Sequence, residues 1–448
     1  MPFWYSKENA HLIANSNTVS LKQKIIRLVR SIIIGITKHI TPLRIATRKV
    51  LQGRRVKRYN GIMQSFATDG KIILFSTFDG RNYSDSPKAI YEYLLTNPDF
   101  DDYTFVWAFR EPDKFAYLLD NKNTFIVKVN TLDYEQTCAM AKYWLFNYRI
   151  ADHIYPKDDQ IYVQLWHGTP LKRLGYDIEI SDNALNSKAE IREKYKTDAE
   201  KFKYILAPSD FAGEKFATAW NLEEFGKAHT LLTAGYPRND FLINHTAQDV
   251  ERIREELNLP QGKKIILYAP TWRDNQHKAS VGYTYKLGVD FEKLHQQLGD
   301  EYIILFRAHY LVASQFDFAK YQGFVYNASN VSDINNLYVV SDLLITDYSS
   351  VFFDYANLNR PVIFYMYDLD DYAGEIRGFY IDLKELPGKI VQTQDSLVDE
   401  IKSTCYDTEF YEHKYQQFHQ KFNPLDDGKA TQRVIDAVIE KHKETVYE

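Results

Sequence analysis

The segment DLLITDYSSVFFDYANLNRPVIFY, from Asp342 to Tyr365, contains the pattern that most clearly indicates the fold class. An apolar run enters a polar turn, a helix-like segment with Val351 and Phe352 follows, and a second apolar run, PVIFY, comes after it. A short apolar run bounded by turn residues is typical of a buried strand. Strand, helix and strand in series predict two parallel strands joined by a crossover.

The same alternation of apolar runs and helix-like segments extends towards the N-terminus. It includes KIILFSTF at Lys71–Phe78, then YTFVWAF, TFIVKV, YWLFNY, YVQLWHG, KKIILYAPTW and YIILFRAHY. A polar, helix-like stretch at Asn239–Leu259, closed by Pro260 and Gly262, separates two such series. The pattern therefore predicts two α/β domains with parallel sheets, whose ligands bind at the carboxyl ends of the strands.

The composition is that of an ordinary globular protein. Of the 448 residues, 45% are hydrophobic and 26% are charged, which excludes collagenous and disordered proteins. The two cysteines, Cys138 and Cys405, cannot build a disulfide framework or a four-cysteine zinc site. The sequence contains no run of about 18 apolar residues, so no membrane-spanning helix is expected.

The net charge of −5 hides a basic arm near the N-terminus. Between Asn9 and Thr68 there are twelve Lys or Arg and no Asp or Glu. Ile and Leu recur at helical spacing within Leu21–Tyr59, and Pro42 predicts a break before a second helix at Leu43–Arg58. Basic amphipathic helices suit an anionic membrane surface. The alternative is a helix pair packed on the protein, with its charges in solvent. The acidic remainder argues against general nucleic-acid binding.

The first candidate site is WHGTPLK at Trp166–Lys172. His167 follows an apolar run, and Gly168 after it permits close approach of a ligand to the backbone. A histidine held there could take a proton from a hydroxyl group near neutral pH. Lys172 adds positive charge. The alternative is a hydrogen-bonded histidine of the protein core.

Two further turns place basic residues after apolar runs. In YAPTWRD, Arg273 could clamp a phosphate through two N–H groups, although a surface salt bridge to Asp274 is equally open. In FRAHY, Arg307 and His309 are two residues apart on a predicted strand, so they should share one face and suit a pyrophosphate. Ligand spacing for a metal is absent, so no metal site is expected.

The polar turn of the opening stretch is the last candidate site. Thr346 and Asp347 lie at the end of the predicted strand, and Ser349 and Ser350 lie where the helix begins. Exposed N–H groups at a helix start can bind a phosphate, although capping is another use of such serines. Asp354, about one turn further on, could reach a ribose hydroxyl. The sequence has no GxGxxG or Walker A motif, which disfavours standard dinucleotide and P-loop chemistry.

Together, these segments resemble the CDP-glycerol glycerophosphotransferase family of teichoic acid synthesis. The resemblance lies in WHGTPLK at 166–172, PTWR at 270–273, RAH at 307–309 and TDYSSVFFDYA at 346–356, and it extends over about Tyr143–Leu383. It implies a GT-B architecture, in which two Rossmann-like domains face each other across a cleft, here with an N-terminal basic amphipathic helical arm. The implied domains are the arm at 1–60, an acceptor domain at 61–245, a CDP-alditol-binding domain at 246–425 and a helix at 426–448 that crosses back.

The resemblance also implies a reaction. Glycerol phosphate would pass from CDP-glycerol to a hydroxyl of a lipid-linked teichoic acid precursor, releasing CMP without a cofactor. His167 and His309 correspond to two catalytic histidines, with His167 as general base and His309 beside Arg307 at the pyrophosphate. The other substrate-binding residues would be Gly168, Lys172, Arg273, Thr346, Asp347, Ser349, Ser350 and Asp354.

Three alternatives stay open at this point. The donor could be CDP-ribitol, the protein could be a GT-B glycosyltransferase that uses a nucleotide sugar, or it could be a non-catalytic membrane-bound scaffold. The expected partners are the CDP-alditol donor, the lipid-linked acceptor and an anionic membrane surface, with no nucleic acid. The expected location is peripheral, on the cytoplasmic face of the cell membrane.

Overall fold

Strands and helices alternate along most of the chain. The computed structural model describes residues 4–17, 28, 41–179, 187–271, 277–278, 282–283, 288–308, 316–369, 378–403 and 408–443. The strands are β1 Asp69–Ser76, β2 Thr104–Phe109, β3 Thr124–Lys128, β4 Ala141–Phe146, β5 Ile161–Gln164, β6 Tyr204–Ala207, β7 Leu231–Thr233, β8 Lys264–Ala269, β9 His277–Lys278, β10 Gly282–Tyr283, β11 Tyr302–Phe306, β12 Val325–Asn327, β13 Leu343–Thr346, β14 Val362–Tyr365 and β15 Lys389–Val391.

The α-helices are mostly short. They are α1 Thr41–Ser65, α2 Asp85–Thr96, α3 Leu132–Met140, α4 Lys188–Ala199, α5 Asp210–Ala219, α6 Asp240–Asn244, α7 Ala247–Glu256, α8 Phe291–Leu298, α9 Ile334–Val340, α10 Val351–Tyr355, α11 Gln394–Ser403, α12 Thr408–Phe422, α13 Ala430–Ile435 and α14 Lys441–Lys443. A π-helical turn at Asp436–Glu440 joins the last two.

Two large sheets contain all of these strands except β9 and β10, which pair with each other in antiparallel fashion. The first has the order β3-β2-β1-β4-β5-β6-β7 and the second the order β12-β11-β8-β13-β14-β15. Every strand pair of the second sheet is parallel. In the first sheet, the five pairs formed among strands β1, β2, β3, β4, β5 and β6 are also parallel. The predicted α/β fold with parallel sheets is therefore confirmed.

The second sheet shows why its central strands are apolar along most of their length. Side chains alternate between two faces of a strand. Along β8, Ile265 and Leu267 pack into one hydrophobic cluster, and Ile266 and Tyr268 pack into another. Because both faces are covered, these strands are continuous apolar runs instead of alternating patterns.

By its contacts the chain divides into two compact units. The first comprises Met1–Trp166, Lys196–Ile205 and Val438–Glu448, and the second comprises His167–Tyr195 and Leu206–Ala437. The domain limits inferred from the sequence stay predictions.

The helix predicted at Asn239–Leu259 is wrong in one respect, because the structure has two helices there. α6 ends at Asn244 and α7 starts at Ala247. Thr246 caps α7: its hydroxyl accepts from the Asp249 N–H at 3.2 Å, and the Asp249 carboxylate accepts from the Thr246 N–H at 3.0 Å. This capping box starts a new helix where the polar pattern predicted a continuous one.

The basic arm is described only in part. α1 contains the predicted helix Leu43–Arg58, whereas the predicted first helix lies outside the described residues apart from Leu28. Near its C-terminal end α1 is attached to its own unit, since Tyr59 is fully buried and Arg58 forms an ion pair with Glu135. Among the described helices, none combines the length and the apolar character needed to cross a bilayer.

Candidate functional site

The chain turns sharply just before His167. β5 ends at Gln164, and Trp166 then adopts φ = 48°, in the left-handed region that bulky residues rarely occupy. Such strain persists only where the surroundings impose it, and it is concentrated at functional sites. His167, the next residue, is exposed. Of the two interpretations drawn from the sequence, this placement favours an accessible histidine over a buried one.

The loop that begins with His167 meets the start of α10. A Cβ atom on Gly168 would lie 3.1 Å from Ser350 Oγ and 4.0 Å from an Nη atom of Arg238. Glycine is therefore what allows this approach. Lys172, further along, is half-buried and forms a β-bridge with Phe379.

Ser349 and Ser350 are partly exposed at the start of α10. Ser350 is the N-cap residue, but its side chain makes no capping hydrogen bond, so the capping alternative does not account for it. Gly168 is thus packed against a hydroxyl that is not used for capping. The structure brings together three predicted site residues here, Gly168, Ser350 and Asp354, the last through Arg238.

Thr346 and Asp347 bind the neighbouring loop. The Thr346 hydroxyl donates to the Ala269 carbonyl at 2.8 Å. The Asp347 carboxylate accepts from the Thr271 N–H at 2.8 Å and from the Tyr348 N–H at 2.6 Å. Both side chains are buried. They therefore hold the start of the loop after β8, which leads to Arg273; Arg273 itself lies outside the described residues.

Asp354 forms a buried ion pair with Arg238. An Arg238 Nη atom lies 2.9 Å from one carboxylate oxygen and 3.1 Å from the other. The side-chain amide of Asn239 also donates to Asp354, at 3.2 Å. The Arg238 guanidinium lies 4.3 Å from the centre of the Tyr236 ring, a cation–π contact. The ribose role inferred for Asp354 stays a prediction.

The carboxylate of a second, half-buried aspartate extends this network. Asp426 accepts from the side-chain amides of Asn239 at 2.8 Å and Asn357 at 2.7 Å. Burial is the main cause that raises the pKa of Asp426 to about 7; the hydrogen bonds from Asn357 and Asn239 act against it, and the nearby charge of Asp354 acts in the same direction as burial. This carboxyl group therefore keeps its proton to a higher pH than an ordinary aspartate does.

Arg238, Asn239 and Asp426 were missed by the sequence analysis. Arg238 and Asn239 belong to YPRND, which follows the apolar run LLTAG just as the other site segments follow their strands. That position, a polar turn with a proline after a strand, was the available signal. Asp426 follows no strand, and no sequence pattern marks it.

Arg307 lies one residue beyond β11, which ends at Phe306. The expectation that it lies on the strand with His309 is therefore wrong for Arg307, and His309 lies outside the described residues. The Arg307 guanidinium donates to the carbonyls of Ala328 at 3.1 Å and Val331 at 2.7 Å. Burial lowers the pKa of this guanidinium.

A cavity of about 550 Å³ lies at the amino ends of strands in the second sheet, away from the carboxyl ends that the candidate site segments follow. It is lined by residues at the start of β8, β11 and β13, among them Lys264 and Tyr302, and by Tyr411 and His419 of α12. None of the predicted site residues lines it. Within the described part of the chain, no cluster of three or more His, Cys, Asp or Glu is placed to hold a metal ion.

Comparison with known proteins identifies the family. The family described as CDP-glycerol:poly(glycerophosphate) glycerophosphotransferase matches residues 59–440. A teichoic acid poly(glycerol phosphate) polymerase of Staphylococcus epidermidis is 37% identical over 377 residues, 84% of this chain and 51% of that protein. A teichoic acid glycerol-phosphate transferase of Staphylococcus aureus is 38% identical over 372 residues, 82% of this chain and 92% of that protein.

The fold agrees with these matches. The solved structure of the wall teichoic acid polymerase TagF, in a histidine variant soaked with CDPG, is 35% identical with a TM-score of 0.80 and covers 92% of this chain and 99% of that chain. The chain spans about half the length of the S. epidermidis polymerase and most of the S. aureus transferase. The resemblance seen in the sequence is thereby confirmed, and the chain belongs to the CDP-glycerol:poly(glycerophosphate) glycerophosphotransferase family.

Proposed function

We propose that this protein transfers glycerol phosphate from CDP-glycerol to a hydroxyl of a membrane-anchored teichoic acid precursor and releases CMP. Family membership supports the reaction class. The observation that carries the proposal is the approach of Gly168 to Ser350, which joins the loop that begins with the exposed His167 to the polar start of α10.

In the proposed reaction, the acceptor hydroxyl oxygen forms a bond to the phosphorus that bears glycerol. The bond between that phosphorus and the bridging oxygen of the pyrophosphate breaks, and CMP leaves with the bridging oxygen. The hydroxyl proton passes to His167, whose exposed imidazole can accept it near neutral pH. Transfers of this kind depend mainly on positioning and on stabilisation of charge.

The donor would be held by residues around the carboxyl ends of the second sheet. The N–H groups at Ser349 and Ser350 would contact the CMP phosphate, and His309, Arg307 and Arg273 would neutralise the pyrophosphate. Gly168 would permit close approach, and Lys172 would add positive charge. Thr346 and Asp347 would act by orienting the loop that carries Arg273, and Asp354 would be the ribose residue.

Glycerol is favoured over ribitol as the transferred alditol. The two curated relatives compared above are both named for glycerol phosphate. A nucleotide-sugar glycosyltransferase and a non-catalytic scaffold have no comparable support among those relatives.

The proposed architecture is GT-B, with an acceptor domain and a donor domain on either side of a cleft. Its support is the pair of parallel α/β sheets and the similarity to TagF. The proposed domain limits are 61–245 and 246–425, with 426–448 crossing back.

Product analysis tests the reaction. The protein is incubated with CDP-glycerol, CDP-ribitol or UDP-glucose and a glycerol phosphate acceptor, and the released nucleotide is identified. CMP from CDP-glycerol is expected. His167→Ala should lower this rate about 10²–10⁴-fold without loss of stability, because the side chain is exposed. His229→Ala, at another exposed histidine, is the control. Release of UDP, or normal turnover by His167→Ala, would contradict the proposal.

The basic arm would attach the protein to the cytoplasmic face of the membrane. On α1, Arg54, Arg55 and Lys57 are exposed, and the apolar side chain of Val50 is 60% exposed. Basic residues near an anionic leaflet each contribute on the order of 1 kcal/mol, an attraction that salt screens. This surface therefore combines the charge and the apolar contact that an interfacial helix needs.

Vesicle sedimentation tests the attachment. The double variant R54Q/R55Q should bind anionic vesicles about thirtyfold more weakly, from about 2 kcal/mol of lost attraction. K114Q/K122Q, which removes the same charge from another exposed surface, should bind like the wild type. Equal loss in both variants would indicate a nonspecific charge effect, and no loss in either would place the anchor elsewhere.

A further inference from the structure

A buried side chain accepts a hydrogen bond from Trp166, the residue with the left-handed backbone. Just after β5 ends, the Leu165 N–H still donates to the neighbouring strand β4, at the Phe146 carbonyl, with a distance of 2.7 Å. The next N–H, that of Trp166, donates instead to the side-chain oxygen of Gln164 at 3.1 Å. The Gln164 side chain thus replaces the neighbouring strand as the partner of the turning residue.

Gln164 is itself fixed on its other side. Its amide nitrogen donates to the Tyr148 carbonyl at 3.0 Å and to the Tyr162 hydroxyl at 2.9 Å. Gln164 is fully buried, and Trp166 is 9% exposed. A buried N–H without a partner destabilises the conformation that contains it. Without this amide, the left-handed conformation would lose the hydrogen bond that offsets its strain.

We propose that Gln164 is a positioning residue for His167. By holding Trp166 in the left-handed region, it sets the direction in which the chain delivers His167 to the reacting hydroxyl. The inference rests on the proposed function for its catalytic consequence. A displacement of about 1 Å in a positioned group can lower a rate about 10²-fold, so loss of this side chain should appear in turnover.

Gln160, one residue before the start of β5, provides a matched control. It is also buried, and its amide nitrogen donates to the carbonyls of Cys138 and Ala141, each at 2.7 Å. Its oxygen accepts from the Lys157 N–H at 2.8 Å. Gln160 therefore makes as many hydrogen bonds as Gln164, but it precedes β5, at the end away from His167. If Gln164 only stabilised the fold, replacing either glutamine should change kcat to the same extent.

Four variants of the full chain test the proposal: Q164M, Q164E, Q164N and Q160M. Q164M should lower kcat about 10–100-fold and change the KM for CDP-glycerol less than threefold, whereas Q160M should keep kcat within twofold. Q164E retains an oxygen that can accept from the Trp166 N–H, so its kcat should lie between those of the wild type and Q164M. If Q164M fails to fold, Q164N takes its place, because its shorter side chain cannot reach both partners.

An NMR measurement separates this proposal from the proposed function. The imidazole signal of His167, assigned with H167Q, should shift in Q164M and stay in place in Q160M, whether or not the protein releases CMP. A wild type that releases no CMP would defeat the proposed function while this signal still tests the positioning. Equal kcat losses in Q164M and Q160M, or an unmoved His167 signal in Q164M, would overturn the positioning role.

Discussion

Removing one partner of the buried Arg238–Asp354 ion pair should destabilise the protein by about 3–5 kcal/mol. The two side chains are 5% and 9% exposed, and an Arg238 Nη atom lies 2.9 Å and 3.1 Å from the two carboxylate oxygens. Arg238→Met would leave the Asp354 carboxylate with the neutral Asn239 amide as its remaining partner in this network. The cost arises from the buried charge that is left uncompensated, and less from the loss of the attraction itself.

Urea denaturation of a double-mutant cycle measures this cost. The proteins are the wild type, R238M, D354N and R238M/D354N, and the quantity is the free energy of unfolding. Because the double variant leaves neither charge buried, it should be more stable than the sum of the single effects predicts, by at least about 2 kcal/mol. The control cycle is R252M, E256Q and both together, since the Arg252–Glu256 pair is about half exposed on α7 and should couple by about 0.3–0.5 kcal/mol.

Additive effects at Arg238 and Asp354, or single losses below about 1 kcal/mol, would refute the reasoning. Such results would mean that water reaches the pair or that the two side chains are not adjacent in solution. A large coupling in the Arg252–Glu256 cycle would instead show that burial is not the cause of the difference.

Two further predictions concern the same region. Gly168→Ala should cost up to about 1 kcal/mol, because its Cβ would lie 3.1 Å from Ser350 Oγ, and Ser350→Ala in the same chain should recover most of that loss; additive melting temperatures would show that the two residues are not in contact. The contribution of Asp426 to stability should fall as the pH rises from about 4 to about 7, since the folded state holds a proton on Asp426 that the unfolded state has already lost. Asp426→Asn should flatten this slope and raise the relative stability at pH 8, measured by urea denaturation at several pH values. A slope that Asp426→Asn leaves unchanged would contradict the assignment of this pH dependence to Asp426. Asp427→Asn should act in the opposite direction and lower the stability at neutral pH, because a hydrogen bond from Arg433 lowers the pKa of Asp427.

The sheets were predictable because burial on both faces leaves a local trace. Strands such as β8 and β13 are short apolar runs followed by polar turns, and both features belong to contiguous sequence. Turn-forming residues predicted the ends of the helices less accurately. The break between α6 and α7 depends on a reciprocal hydrogen bond between Thr246 and Asp249, which a polar pattern does not reveal.

The candidate site was predictable only where one segment carries a motif. The histidine loop and the TDYSS turn were found because glycine, histidine and serine follow apolar runs. Asp426 carries no such local motif, because its partners Asn239 and Asn357 lie 187 and 69 residues away along the chain. A hydrogen bond between residues so far apart leaves no periodicity in the sequence.

The fold class, the family and the motif-bearing residues could be inferred without the structure, because hydrophobic patterns and motifs are properties of contiguous segments. The contacts of several of those residues, by contrast, became visible only in the folded chain. It placed Asp354 against Arg238, Asp347 against the Thr271 N–H, Gly168 against Ser350, and Gln164 under the turn at Trp166. Each of these contacts depends on distances between atoms and on exclusion from water, and both arise only when separate segments pack together.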